Sequence, residues 1–294
     1  MPTFTKAVKF CVIESTPDTE LREAHNDFAM ASQCSIEIIS MPPTNVATTL
    51  DALRAGAFDG VIVSRELVGT LILDNIESDA ATGAIDAYNF IKPSGDALCA
   101  VNVDVFGIHY AMTASCAYPQ FRAALVIGSG PLVRAALYCL VHYFQSCVFY
   151  IFEESDEIFT NLEKSIHGMN NDIIIVRHTN VTSSPAVSCV VTDVPKDLQS
   201  GERTNDIRSL LSVTFHTHRL HFSIDQKNIF LNLGSSISGP DLTPWSFLAL
   251  RSSWEEISSD LLQKFQTQIM WQQVAVFNSN LLFHESSWVK DTIL

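Results

Sequence analysis

The residues of this chain best suited to chemistry form a glycine turn. Gly128-Ser129-Gly130-Pro131-Leu132-Val133-Arg134-Ala135 follows the apolar run Ala123-Ala124-Leu125-Val126-Ile127 and opens a helical pattern. In that setting the first glycine permits a tight turn and the second lets the backbone approach a pyrophosphate. The third glycine of the dinucleotide fingerprint is missing. Pro131 suits a first helical position but has no N–H to offer an anion. The next strand ends in Phe152-Glu153-Glu154-Ser155. An acid at that point accepts from a free ribose 2′-hydroxyl and repels a 2′-phosphate. The candidate cofactor-binding residues are therefore Gly128, Gly130 and Glu153, with NADP disfavoured; the alternative is that both glutamates form a solvated loop. His216-Thr217-His218-Arg219-Leu220-His221 reads as a strand edge with exposed imidazoles, and a metal site would need two of them plus a carboxylate. No metal ligands are assigned. There is no G-x-S-x-G elbow and no P-loop.

Positioning such a turn takes a parallel sheet, and the pattern supplies two. Val8 to Ile13, Ser35 to Ile39 and Gly60 to Val63 are short β-rich runs, separated by amphipathic stretches at Thr19 to Ala31 and Asn45 to Ala55. Asp18 or Thr19 caps the first helix. This β-α-β-α-β order predicts a parallel sheet whose ligands gather at the strand carboxyl ends. A second unit starts near Arg122: strands at Ala123 to Ile127, Cys147 to Phe152 and Asp172 to Val176, with helices at Pro131 to Phe144 and Asp156 to His167. Thr179 to Ala186 and Ser235 to Pro240 are polar loops, and Trp254 to Phe277 reads as one amphipathic helix. Trp245, Phe247 and Trp254 read as core at the domain junction.

The chain has 294 residues, of which 47% are hydrophobic and 17% charged, enough apolar material for a sizeable core and too little charge for disorder. A formal charge of −14 excludes nucleic acid as an expected partner. No signal peptide opens the sequence, and the most apolar stretch, Ala123 to Val141, carries Arg134 and two glycines, so no membrane span is expected. Seven scattered cysteines without a C-x-x-C pair read as small hydrophobes in a cytoplasmic protein.

With the elements placed, the order of motifs resembles shikimate dehydrogenases, especially the module ending fungal pentafunctional AROM polypeptides and its relative in the quinate repressor. The serine-rich loop closing on His-Asn is similar to Thr16 to Asn26, with His25-Asn26 kept and the two substrate-carboxylate serines falling on Thr19 and Leu21. V-T-x-P-x-K resembles Val61 to Glu66, which puts Glu66 at the catalytic lysine. G-A-V-N-T resembles Gly83 to Ala87, with Asp86 at the substrate asparagine. N-T-D-x-x-G is kept as Asn102 to Gly107, and Asp104 matches the catalytic aspartate. The N-R-T that grips NADP has become Phe152-Glu153-Glu154. Y-K-P-x-x-T-P resembles Ser238 to Pro244 without the tyrosine, and Q-G-x-x-Q-F resembles Gln268 to Gln273.

The resemblance implies an α/β chain of two domains around a cleft. Residues 1–110, with about 255–294 returning as a C-terminal helix, form a substrate-type domain, and residues 111–254 form a Rossmann-like one. It implies Asp104 and Glu66 as catalytic residues, and Thr19, Asp86, Asn102, Gln268 and Gln272 as substrate-binding residues. The departures imply a degenerate redox site. A lysine replaced by a glutamate puts an acid beside Asp104, where a cation would stabilise an alkoxide. Such a pair suits non-redox proton transfer, since neighbouring carboxylates push their protonation apart; the alternative is a Glu66 turned outward. The expectation is a protein without a cofactor that binds a shikimate- or quinate-like carboxylate or runs non-redox acid/base chemistry, against the alternative of a working NAD-dependent oxidoreductase.

Overall fold

A computed structural model describes residues 7–71, 76–115, 121–193, 202–217, 228–234, 244–252 and 254–274. The chain divides into two compact units, Met1–Gly107 with Gln263–Leu294, and Ile108–Leu262.

The first unit runs β1 (Val8–Ile13), α1 (Thr19–Ala31), β2 (Ile36–Met41), α2 (Val46–Arg54), β3 (Gly60–Val63), β4 (Glu77–Ser78), α3 (Ala80–Ile85), β5 (Phe90–Ser94), β6 (Ala97–Val101) and the start of α4 (Val103–Ser115). Asp18 is the cap of α1, its carboxylate accepting from the Leu21 N–H at 3.0 Å. The sheet has the order β2-β1-β3-β5-β6-β4. β1 lies parallel to both β2 and β3, as the sequence pattern predicts. Beyond the three predicted strands the parallel order ends: β5 runs antiparallel to β3 and forms a hairpin with β6. The β5–β6 hairpin turns through Ser94-Gly95-Asp96-Ala97, with Gly95 at φ +61°, where the chain reverses without a crossover helix. Gly60 is required by packing: a Cβ there would stand 2.5 Å from the ring of Phe90. One sheet face buries Phe10, Val12, Ile62 and Phe90 against Phe28 of α1. Ile269, Met270 and Trp271 of α9 (Ser259–Val274) join that core, so the C-terminal helix returns to the first unit. The opposite face buries Cys11, Ile13, Val61 and Val63 against Leu50 and Leu53 of α2.

The second unit holds β7 (Ala123–Ile127), α5 (Pro131–His142), β8 (Val148–Phe152), α6 (Asp156–Met169), β9 (Ile174–Arg177), β10 (Cys189–Thr192), α7 (Glu202–Thr217), β11 (Ile229–Asn232), α8 (Pro244–Arg251) and β12 (Glu255–Ile257). All its strand pairs are parallel and the order is β12-β11-β10-β7-β8-β9. This is the doubly wound Rossmann order, whose switch point falls between β7 and β10. Leu125, Ile127, Val190 and Phe230 pack against Ile207, Leu210, Leu211 and Phe215 of α7.

Two expected elements are corrected. Trp254 to Phe277 is not one helix: Glu255–Ile257 pair in parallel with Ile229–Leu231, and the helix begins only at Ser259. An open sheet edge outweighs the helical pattern of those three residues. His216 is not on a strand edge; it sits in the last turn of α7, bonded to the Ser212 carbonyl at 2.7 Å, while His218 and His221 lie outside the described residues. Trp254 is buried; the side chains of Trp245 and Phe247 are outside the description, as is the Ser235 to Pro240 loop. Of the cysteines, Cys11, Cys139 and Cys189 are buried, Cys34 and Cys99 partly so, and Cys147 is exposed. Among the described residues no helix is long and apolar enough to cross a membrane, and no group of three or more His, Cys, Asp or Glu is placed to hold a metal ion.

Candidate functional site

In the first unit the polar residues collect where β1, β3 and β6 end. Asp104, in the first turn of α4, is 6% exposed. Its Oδ1 accepts from Asn89 Nδ2 and from Gln266 Nε2, each at 2.6 Å. Asn89 is itself fixed, its Oδ1 accepting from the Val103 N–H at 2.8 Å. Asn102 is fully buried and committed to the backbone. Its Nδ2 donates to the Ala87 carbonyl, its Oδ1 accepts from the Asp104 N–H, and its own N–H donates to Thr82 Oγ1. It therefore acts as the cap of α4, which explains the direction in which Asp104 is presented.

Of the other residues assigned from sequence in this unit, three are exposed and two half-buried. Glu66, in a single 3-10 turn after β3, is exposed, and its Oε1 accepts from the Ser15 N–H at 2.8 Å, bracing the loop into α1. Thr19 is the exposed first residue of α1. Asp86 is exposed and left-handed, at φ 55°, where α3 stops. Gln268 and Gln272 are half-buried on α9, and Gln268 Oε1 is enclosed without a hydrogen-bond partner. Gln266 and Gln273, two turns apart on one helix face, make the bonds instead, Gln266 to Asp104 and Gln273 to Lys92. Asn89 and Gln266 were missed in the sequence. Their signals are slight: a lone amide interrupting the apolar run of Ala87 to Ile91, and a seven-residue glutamine spacing.

His25, retained from the His-Asn motif, is 1% exposed and is a packing residue. Its Nδ1 accepts from Trp271 Nε1 at 3.1 Å and its ring meets Phe10 edge-on. Burial pushes the imidazole down to about 3.

In the second unit the glycine turn sits between β7 and α5. Gly128 has φ +111°, and a Cβ there would stand 2.7 Å from the Asp193 carbonyl oxygen. A Cβ at Gly130 would stand 3.2 Å from Asp193 Oδ2. Asp193 follows β10, so its carboxylate lies against the turn at the switch point. Glu153 follows β8 and is 3% exposed. Its Oε1 accepts from the Ser155 N–H at 3.0 Å and its Oε2 from Arg203 Nη2 of α7 at 3.1 Å. Arg177 closes the same corner. Its Nε donates to the Glu153 carbonyl at 2.9 Å, its Nη1 and Nη2 donate to Asp156 and the Glu154 carbonyl, and its guanidinium lies over the Phe159 ring. Glu153 is thus not part of a solvated loop.

No family model and no curated protein matches the sequence. Solved structures do. The dehydroquinate dehydratase and shikimate dehydrogenase from S. pombe AroM superposes with a TM-score of 0.68 over 92% of this chain at 19% identity. The fold is that of the shikimate dehydrogenases. This chain spans 53% of that S. pombe protein. Quinate dehydrogenase from Corynebacterium glutamicum, solved with NAD, gives a TM-score of 0.71 over 98% of both chains at 14% identity. Shikimate 5-dehydrogenase from Listeria monocytogenes, solved with shikimate and NAD, gives 0.70 over 99% of this chain and 96% of its own at 12% identity.

Proposed function

We propose that this chain uses the shikimate dehydrogenase fold to bind a shikimate- or quinate-like carboxylate without nicotinamide redox chemistry. The observation that carries this reading is Glu153. The fold implies a dinucleotide, whose adenosine ribose would need an acceptor at the end of β8. That carboxylate is 3% exposed, with one oxygen on Ser155 and the other on Arg203. To serve a ribose that enclosed carboxylate would have to release the half-exposed Arg203 guanidinium, and leaving a buried carboxylate without its cation is costly. Two further features point the same way. Asp193 sets a negative charge against the turn that would take the pyrophosphate, and Pro131 removes one N–H from the first turn of α5. These residues do not fit the cofactor.

The ligand side rests on Asp104, oriented by Asn89 and Gln266, with Thr19, Glu66 and Asp86 of the same unit exposed. Asp104 accepts a hydroxyl proton as a hydrogen-bond partner of a polyhydroxylated ring. Acid/base catalysis by a Glu66–Asp104 pair is the weaker reading, because Glu66 is committed to the Ser15 amide. Thermal melts with shikimate, quinate, NAD and NADP test the proposal, since a ligand that binds only the native state raises Tm. Shikimate or quinate should raise Tm by several degrees while both dinucleotides leave it unchanged. Saturable NAD or NADP binding with turnover of either acid would overturn it.

A further inference from the structure

We propose that Arg22 is the anchor for the ligand carboxylate, an assignment that rests on the reading above. Arg22 lies three residues after Thr19 on α1, so the two share a helix face at the carboxyl edge of the sheet. Its Nη2 donates both to the carboxylate of Glu14 and to the hydroxyl of Ser40. Glu14 follows β1 directly and is 4% exposed. Ser40, near the end of β2, donates to Glu14 Oε1 at 2.6 Å, and the Asp18 N–H donates to Oε2 at 2.8 Å. Burial alone would raise the Glu14 carboxyl; the bonds from Ser40, the Asp18 amide and Arg22 outweigh it and hold it below its ordinary value. Glu14 is therefore a fully bonded anion whose task is to hold the guanidinium in place.

The way Arg22 is used distinguishes an anchor from a counter-ion. An arginine that merely neutralises a buried carboxylate does so most strongly with two parallel N–H bonds. Here a single nitrogen, Nη2, serves Glu14 and Ser40. Nε and Nη1 have no protein partner among the described residues, and neither is enclosed. The side chain is 23% exposed, against 2% for that of Glu14. The free N–H groups thus stand at the surface of a parallel-strand carboxyl edge, the place where α/β sheets take ligands. Ser40 and Thr19, both exposed, flank them with hydroxyls. Because Glu14 balances its charge, Arg22 acts through directed hydrogen bonds, which favour a planar carboxylate over an uncharged group of the same shape.

Calorimetric titration of the whole chain with shikimate and with its carboxamide tests the assignment. Wild type should bind the acid roughly tenfold or more tighter than the amide. Arg22→Lys keeps a cation for Glu14 but loses the planar fork, so it should weaken acid binding by roughly tenfold and leave amide binding unchanged. Arg65→Gln, removing an exposed cation beside β3, should leave both unchanged. Should Arg22→Lys fail to fold, the paired variant Glu14→Gln/Arg22→Gln removes both charges together and should bind acid and amide equally. Acid binding by Arg22→Lys or the paired variant at wild-type strength overturns the assignment while leaving the proposed function standing. Loss of acid binding in Arg65→Gln alone overturns it in favour of Arg65. A wild type that binds neither acid nor amide ends the proposed function and the anchor with it.

Discussion

The two sheets obey one rule and end differently. Both present polar residues at the carboxyl ends of parallel strands, the edge where α/β folds place ligands. In the second unit that edge is turned inward: Glu153 is buried, paired with Arg203, and Asp193 fills the approach to Gly130. In the first unit Glu14, Asn89, Asn102 and Asp104 are enclosed, while Thr19, Ser40, Glu66 and Asp86 remain exposed. A fold therefore fixes where a ligand can bind, and the hydrogen-bond partners of a few side chains decide whether the place stays available.

The sharpest way to break this contrast is Arg203→Ala. If the Glu153–Arg203 pair is structural, its removal leaves an enclosed carboxylate without its cation, and with Arg203 itself 36% exposed the loss should be about 2 kcal/mol in urea or thermal unfolding. Adding Glu153→Gln to it should recover most of that loss, because a neutral amide tolerates the site. A single variant that loses nothing and gains NAD affinity would show that the second edge is still a working nucleotide site. Gly128→Ala comes next. At φ +111° with a backbone oxygen 2.7 Å from the new Cβ, it should cost about 2 kcal/mol whether or not a nucleotide ever binds. Stability unchanged to within a few tenths of a kcal/mol would mean that the turn is loose.

How far the sequence carried the reading follows the same division. β1, α1, β3, β7 and the glycine turn were legible because their patterns are local: apolar runs of strand length, Asp18 before a helical stretch, glycines between strand and helix. The β5–β6 hairpin was not, although its turn is local, because Pro93 interrupts the strand pattern of β5; β12 was not, because its partner β11 lies far back along the chain and the local pattern does not name it. Asp104 was singled out through its motif. The two amides that orient it were not: Gln266 reaches it across 162 residues, and only the docking of α9 through Trp271 shows which glutamine faces inward. Glu153 was visible as an acid after a strand, but its burial depends on Arg203, fifty positions later.

Gln266→Leu examines the first edge in the same manner. Losing a donor to a buried carboxylate should cost about 1.5 kcal/mol of stability and weaken binding of shikimate more than Gln268→Leu does. Equal effects from the two variants would mean that Asp104 is not held for the ligand by Gln266.

At neutral pH the smallest expected effect belongs to substitution of His25, which reports on the helix that brings Gln266 into place. The native imidazole titrates at about 3, against about 6.5 unfolded, because burial disfavours its charged form. Above pH 6.5 both states are neutral and His25 contributes no pH dependence. As pH falls below 6.5 the unfolded chain takes up a proton that the native chain refuses. Stability should then drop by about 1.4 kcal/mol per unit until pH nears 3. Protonation also removes the acceptor at Nδ1 that Trp271 uses, so acid should release α9 from β1 and α1 first. His25→Phe has no proton to take up and fills similar space against Phe10. Its stability at neutral pH should fall by about 1 kcal/mol, for the indole N–H left without a partner. Its slope between pH 6.5 and 4.5 should be shallower than that of wild type by about 1.4 kcal/mol per unit. Parallel slopes in the two proteins would show that the first edge keeps its shape in acid without His25, and that α9 is held by its apolar residues alone.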